Sequence, residues 1–365
     1  MTPREVQAMV KRGQEVTRQS LQGMDFRGLD LSGGMFMDTD FSGADLSGVP
    51  LNGSVFLTCR FTNTVLERAD VSQCNFHGGN ANGVRLAGAS MHHANFHDVP
   101  LVAAQLDGAN GEVIAFSACD LSDASLRGLC SGMLVFHQSL LERTDLSGCL
   151  LDGAGFYQAD LRTARFGGCR FDKTIFIESD LSGQVFRDQV FAGCQFTDAN
   201  LTGCDFDGAT LAQCNFKGAK LRGASLRRVH AHQCVFVAAD LDGAALHGGD
   251  FLQGVWADVR LPRADLSDAN LAQCIFHRAL CSAANFSKTQ LTYADFSYAD
   301  LSDADFRGAT LMRTKVHRAV LDGTQFSDKG GLLLNDPALF DAEAFSARRP
   351  KHRGEPARRG PSMTP

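Results

Sequence analysis

The chain has 365 residues, 44% of them hydrophobic and 21% charged, and a formal net charge of −6. That balance excludes a disordered or collagen-like protein. No run of eighteen apolar residues could span a bilayer, and the opening MTPREVQAMVKRGQEV lacks the apolar stretch of a signal peptide, so a cytoplasmic location without membrane insertion is expected. Twenty-seven Phe stand beside one Trp and three Tyr, and 37 Gly beside nine Pro, a bias that points to repetition.

In chain order, Thr2, Pro3 and Glu5 predict a capped helix within residues 1–18, with Val6, Met9, Val10 and Val16 on one face to cover the apolar end of the adjoining segment. From 19 to 328 one pattern holds. Every fifth residue from Leu21 to Phe326 is a centre, giving 62 positions of which 28 are Leu and 25 Phe, the exceptions being Val71, Ala81, Met91, Gly111, Ser131, Ala231, Trp256, Cys281 and Val316. Two before a centre there is mostly a small residue, Ala, Cys, Thr or Gly, often Asp or Asn one before, and often Gly two after. AlaAspLeuSerGly at 44–48 and AlaAspPheArgGly at 304–308 are clear cases.

Period five is neither the 3.6 of a helix nor the 2 of a lone strand. It suits a chain that completes one side of a square every five residues, and four sides make a coil of twenty. A twenty-residue period is present: Phe36, Phe56, Phe76, Phe96, Phe116, Phe136, Phe156, Phe176, Phe196, Phe216, Phe236, Trp256, Phe276 and Phe296 form one series, ended by Val316. An aromatic ladder along one wall is the expectation, each ring offset on the next at strand spacing. Where Gly111 and Ser131 replace large centres, the bulky Ile114 and Leu134 follow at small positions, as constant core volume requires.

These units resemble the pentapeptide repeat family, whose motif is a small residue, Asp or Asn, Leu or Phe, a polar residue and Gly. The resemblance implies an all-β solenoid, a right-handed quadrilateral parallel β-helix of about 15 coils and roughly 75 Å, with short helical caps at both ends. Stability then adds coil by coil. Bacterial relatives include accessory proteins of contact-dependent secretion, and others that protect a type II topoisomerase from drugs by mimicking DNA.

The repeat fades after 328. Asp336 and Pro337 open a second predicted helix within 329–347, carrying Leu339, Phe340 and Phe345 as a C-terminal plug. Residues 348–365 form a basic tail of net +5 without apolar periodicity, expected to be disordered and to offer only weak contact with nucleic acid. Subtracting that +5 and the +2 of residues 1–20 from −6 leaves −13 for residues 21–347.

Ten of the twelve cysteines occupy the small inward position, Cys281 is a centre and Cys130 is off-pattern, so core filling accounts for them better than zinc or disulfides. His77, His97, His137, His277 and His317 each follow a ladder position and are expected to point outward as solvated groups. The register leaves no inserted loop in which to build an active site. No catalytic residue, metal or cofactor is assigned, and the protein is not expected to be an enzyme.

Function is therefore sought on the walls. Apolar residues flank the ladder at Met35, Met37, Val55, Leu57, Val135, Ile175, Ile177, Val235 and Val237, and exposed apolar area marks binding. The next wall is acidic, with Asp120, Asp160, Asp180 and Asp240, and Asp25, Asp45, Asp145, Asp205, Asp265 and Asp305 run along the one after. The expected function is a protein-binding scaffold or adaptor with a protein partner or a second copy of itself on the apolar wall. The alternative is DNA mimicry through the acidic wall.

Overall fold

A computed structural model describes residues 1–334 and 336–347. Its architecture follows from the five-residue unit. In most units the amide three residues after a centre donates to the centre's carbonyl, as Ala224 does to Leu221 at 3.0 Å. The second of the two residues between them takes positive φ, as in a type II turn. Gly fills many of these positions, but 35 other residues hold φ near +55° there, each strained by about 1 kcal/mol or more. Side chains offset part of this: at one corner Gln213, Gln233, Gln253 and Gln273 form a ladder of amide hydrogen bonds of 2.9–3.2 Å.

Parallel pairing at an offset of twenty residues joins successive coils into a quadrilateral β-helix. The wall holding the aromatic ladder, called here the ladder wall, carries most of the regular strand. β1 (Val16–Thr17), β2 (Met35–Met37), β3 (Val55–Leu57), β4 (Asn75–His77), β5 (Ala94–His97), β6 (Asn110–Ser117), β7 (Cys130–His137) and β8 (Gly155–Tyr157) pair in sequence order. β9 (Phe171–Asp172) belongs to another wall, and β10 (Ile175–Ile177) completes the nine-stranded sheet beside β8. β11 (Phe191–Ala192) pairs with β9. Near the end, β12 (Asp305–Phe306) pairs with β14 (Gln325–Phe326), and β13 (Thr314–Lys315) with β15 (Leu332–Leu333).

The ladder exists as expected. Its fourteen rings make thirteen consecutive stacked contacts, with centroids 4.0–5.5 Å apart and planes within 18°. Trp256 fits because a Cβ on Gly254 would stand 2.6 Å from the indole nitrogen. Small inward residues also serve the backbone. Thr64 donates to the carbonyl of Phe41 at 2.7 Å, Ser54 to that of Leu31 at 3.0 Å, and the Cys74 thiol to that of Leu51 at 3.0 Å. Thr, Ser and Cys thus interchange at this position because each reaches a centre carbonyl one coil back.

The N-terminal helix α1 spans Pro3–Lys11 and has the expected capping box between Thr2 and Glu5. Its Val6 and Val10 are buried against the first coil. Val16 is not on this helix: it lies in β1, opposite Phe36, and is the first rung of the ladder wall. Ile114 and Leu134 fill the core as expected. With Gly111 and Ser131 drawn out of the centre positions, β6 and β7 each run eight residues through what is a turn in other coils.

The C-terminal helix α2 spans Pro337–Ala347, with Asp336 accepting the Leu339 amide at 3.1 Å as its cap. It stands at the end of the rod but seats on the outer face of the ladder wall, where Phe340 meets His317. Leu321, Phe326 and Leu332 in the last coil remain only partly buried, so α2 is not a plug over that coil. The basic tail at 348–365 lies outside the described residues.

Candidate interaction surfaces

Alternation places Met35, Met37, Val55, Leu57, Val135, Ile175, Ile177, Val235 and Val237 on the outer face of the ladder wall, on either side of buried rings. Met35 is 43% exposed and the other eight are half-buried. Cross-strand pairing explains the shielding: Met35 lies opposite Val55 and Met37 opposite Leu57, and Ile177 lies opposite Tyr157.

The nine residues do not form one surface. Asn75, His77, Asn95 and His97 separate the first patch from Val135 and the two isoleucines. Gln195, Thr197, Asn215 and Lys217 separate those from Val235 and Val237, beyond which Val255 and Ile275 continue the third patch. Each polar strip is two coils wide, roughly 10 Å. His77 and His97 stack at 5.0 Å within the first strip. No group of three or more His, Cys, Asp or Glu positioned to hold a metal occurs among the described residues.

His317 departs from expectation. It projects outward like the other imidazoles of its row but is 1% exposed, because α2 lies over it. Its Nδ1 accepts the Asp336 amide at 3.3 Å, and its Nε2 lies 3.3 Å from Glu343.

The acidic rows are largely occupied by the fold itself. Asp120, Asp160, Asp180 and Asp240 each accept the amide two residues on, at 2.9–3.2 Å, as turn-forming aspartates do. Arg162 pairs with Asp160 at 2.7 Å and Arg222 with Asp240 at 2.6 Å. On the next wall Arg27, Arg127, Arg187 and Arg307 pair with Asp25, Asp145, Asp205 and Asp305. Asp25 is held at about 2 by its hydrogen bonds from Arg27.

Cysteine behaves as core filler. Eleven thiols are buried and Cys130 is exposed, and all twelve are free. Burial pushes Cys74, Cys204, Cys234 and Cys274 up to about 12, far from the reactive thiolate.

One feature escapes a reading of the repeat alone. Pairing along the wall of Asp25 and Asp45 runs coil to coil as far as Gln325, except that among the described residues Arg165 makes no bridge to Val185. On the following wall Arg170 and Val190 are likewise unbridged, and pairing resumes at Phe171 and Phe191. The Gln184 amide spans this seam, donating to the carbonyls of Leu161 at 2.6 Å and Ala164 at 2.9 Å. Gln184 and Gln189 occupy inward positions that elsewhere hold mostly small residues, and their bulk parts the coils. Val185 and Val190 are left 65% and 57% exposed. A cleft of about 390 Å³ opens there beside Cys169, Phe171 and Gln189. The signal was the pair of glutamines in GlyGlnValPheArgAspGlnValPhe at 183–191.

Comparison with known proteins agrees with the architecture. A model of pentapeptide repeats matches residues 20–53, 39–78, 72–108, 219–253, 264–297 and 289–328, and a pentapeptide repeat region model matches 139–216. The widest gap between matched stretches, 109–138, holds β6 and β7. No curated protein matches the chain. Among solved structures, full-length QnrB1, a plasmid-mediated fluoroquinolone resistance protein, is 16% identical over 60% of this chain and 99% of its own, with a TM-score of 0.29. HetL, a pentapeptide repeat protein involved in heterocyst differentiation regulation from the cyanobacterium Nostoc sp. strain PCC 7120, is 23% identical over 83% and 96%, with a TM-score of 0.18. A thylakoid-lumen pentapeptide repeat protein from Arabidopsis thaliana is 26% identical over 35% and 66%, with a TM-score of 0.14.

Proposed function

Since the chain belongs to the pentapeptide repeat family, a rod of stacked coils is its working form, and we propose that it is a non-enzymatic scaffold or adaptor that binds a protein partner through the apolar patches of the ladder wall. The observation that carries this reading is the ladder wall, with Met35, Val55 and Ile175 on the outer face of its nine-stranded sheet and Val235 further along the same wall. Contiguous apolar area on a rigid surface is favourable to cover, at roughly 25 cal/mol per Å². DNA mimicry needs rows of free carboxylates, whereas here turn amides and arginines engage Asp160 and Asp240.

Affinity capture with full-length protein tests the reading. Replacing Val55, Leu57, Ile175 and Ile177 with Lys or Glu leaves the coil intact, because these side chains point outward, and abolishes capture of the partner or self-association. If that variant keeps every captured partner while Asp120, Asp160 and Asp180 replaced by Lys loses them, the acidic wall is the working surface. Inhibition or protection of gyrase in a supercoiling assay would then favour mimicry.

A further inference from the structure

The helix α2 shows how the ladder wall takes a helical segment. Phe340 meets the His317 ring nearly edge-on, with centroids 4.5 Å apart, and the Arg318 guanidinium lies 4.7 Å over the same phenyl ring. One turn on, Glu343 reaches Arg318 Nε at 2.5 Å and His317 Nε2 at 3.3 Å. An aromatic ring and a carboxylate spaced three residues apart thus lie on one helix face and engage a His–Arg pair on the wall.

The site is not confined to α2. Beside the helix runs a cleft of about 490 Å³ between Leu339 and the wall, with Asp295 and Lys315 on its floor and His277 on its far side. His277 and Arg278 repeat the His317–Arg318 pair two coils earlier. Arg278 is already gripped by Asp258, at 2.7 and 2.8 Å. The residue in line with Arg318 on the preceding coil is Tyr298, so Arg318 is the guanidinium left for a carboxylate from outside the coils. Past His277 the wall continues into the apolar patch of Ile275, Val255 and Val235.

We propose that the His317–Arg318 pair and the adjoining cleft are the seat for a helix of the protein partner, one carrying an aromatic residue followed three positions later by Asp or Glu, and that α2 is a built-in occupant which the partner helix displaces. This rests on the ladder wall being the binding surface. An eleven-residue helix is marginal in water by itself, so α2 persists through this seat. Its ring and ion-pair contacts are few and partly exposed, and such contacts are individually weak. A partner helix making the same contacts and extending over Ile275 and Val255 gains apolar burial that α2 lacks.

The test uses full-length protein and a fluorescein-labelled peptide of residues 336–347. The double variant Phe340→Ala with Glu343→Ala empties the seat, which is read as carbethoxylation of His317; should His317 stay protected, Phe340→Asp with Glu343→Lys empties it by charge. The peptide is expected to bind the emptied protein at least tenfold more tightly than wild type. Binding disappears when Arg318→Glu is added or when the peptide carries Phe340→Ala. Equal binding to wild type and emptied protein, or none to the emptied protein at millimolar peptide, overturns the proposal. The outcome is separable from that of the broader reading, because Val55, Leu57, Ile175 and Ile177 lie outside the seat. Partner capture lost in their variant while the peptide fails sinks the seat alone, and peptide binding with capture unchanged sinks the broader reading alone.

Discussion

The coils around Phe216 and the coils that meet at Gln184 are built from the same unit and hold together differently. Around Phe216 all four walls are paired, rings stack at 4.9 Å above and below, and the inward partners are Ala, Cys and Val. At Gln184 two amide side chains stand where small residues belong, one wall is unpaired and the next begins unpaired, and Phe166 meets Phe186 tilted by 46° at 5.9 Å. In a stack whose stability is a sum over neighbouring coils, inward side-chain volume decides how well each interface closes.

The largest expected effect sets a buried charge into each region. Phe216→Asp places a carboxylate between stacked rings with no partner and costs several kcal/mol. Phe166→Asp, at the seam and 8% exposed, costs about half as much. Chemical denaturation of the two variants measures the difference, and equal losses would mean the seam is as tightly closed as the rest.

A second test closes the seam. Gln184→Ala with Gln189→Ala lets the Val185 amide reach the Ala164 carbonyl and stabilises the rod by about 1 kcal/mol. In the wild type, hydrogen exchange at Val185 should be fast beside that at Ser225, two coils on along the same wall, and the double variant should slow it toward the Ser225 rate.

Thiol labelling sharpens the contrast further. Cys130 should react at once and Cys234, pushed to about 12 by burial, only on unfolding. Cys169, at the seam and 8% exposed, should react between these extremes. Rapid labelling of Cys234 would contradict the closed packing of its coil.

The smallest effect is titration. Burial raises the Asp145 pKa, but hydrogen bonds from Ser147 and the pair with Arg127 outweigh it and hold the carboxyl at about 2, against an ordinary 3.8. A depressed folded pKa means that Asp145 stabilises the protein fully above the unfolded value, and that this is lost as pH falls through about 2. Asp145→Asn should therefore be the less stable protein at neutral pH, with the gap to wild type shrinking as pH drops below about 4. A gap independent of pH would show that the lost contribution is packing.

Much of this was legible in residue spacing. A centre every five residues gives the coil, and an aromatic every twenty gives the wall and its ladder. Four things were not. Val16 fits the five-residue register but precedes the first complete unit, and its apolar character suits a helix face equally well. His317 carries no mark in sequence that α2 will fold back over it, because that contact depends on how the chain turns after β15. Gln184 and Gln189 were visible, but a rule built on the centres gives little weight to what stands two residues before them. The acidic rows were visible, yet the pairing of Arg222 with Asp240 requires knowing which residues face one another across coils.

The seam also has a mechanical meaning. A rod under bending load yields where the fewest bonds cross its section, and here that section lies between Arg165 and Val185. The ladder wall and the wall after it stay bonded across it, through Phe156, Phe176 and Phe196 on one and Asp160 and Asp180 on the other. The opposite corner is held across the seam by the Gln184 amide and, past it, by the pairing of β9 with β11. Bonding across this section is therefore lopsided, continuous on the two walls that carry Phe156 and Asp160 and reduced at the corner where Val185 and Val190 are exposed.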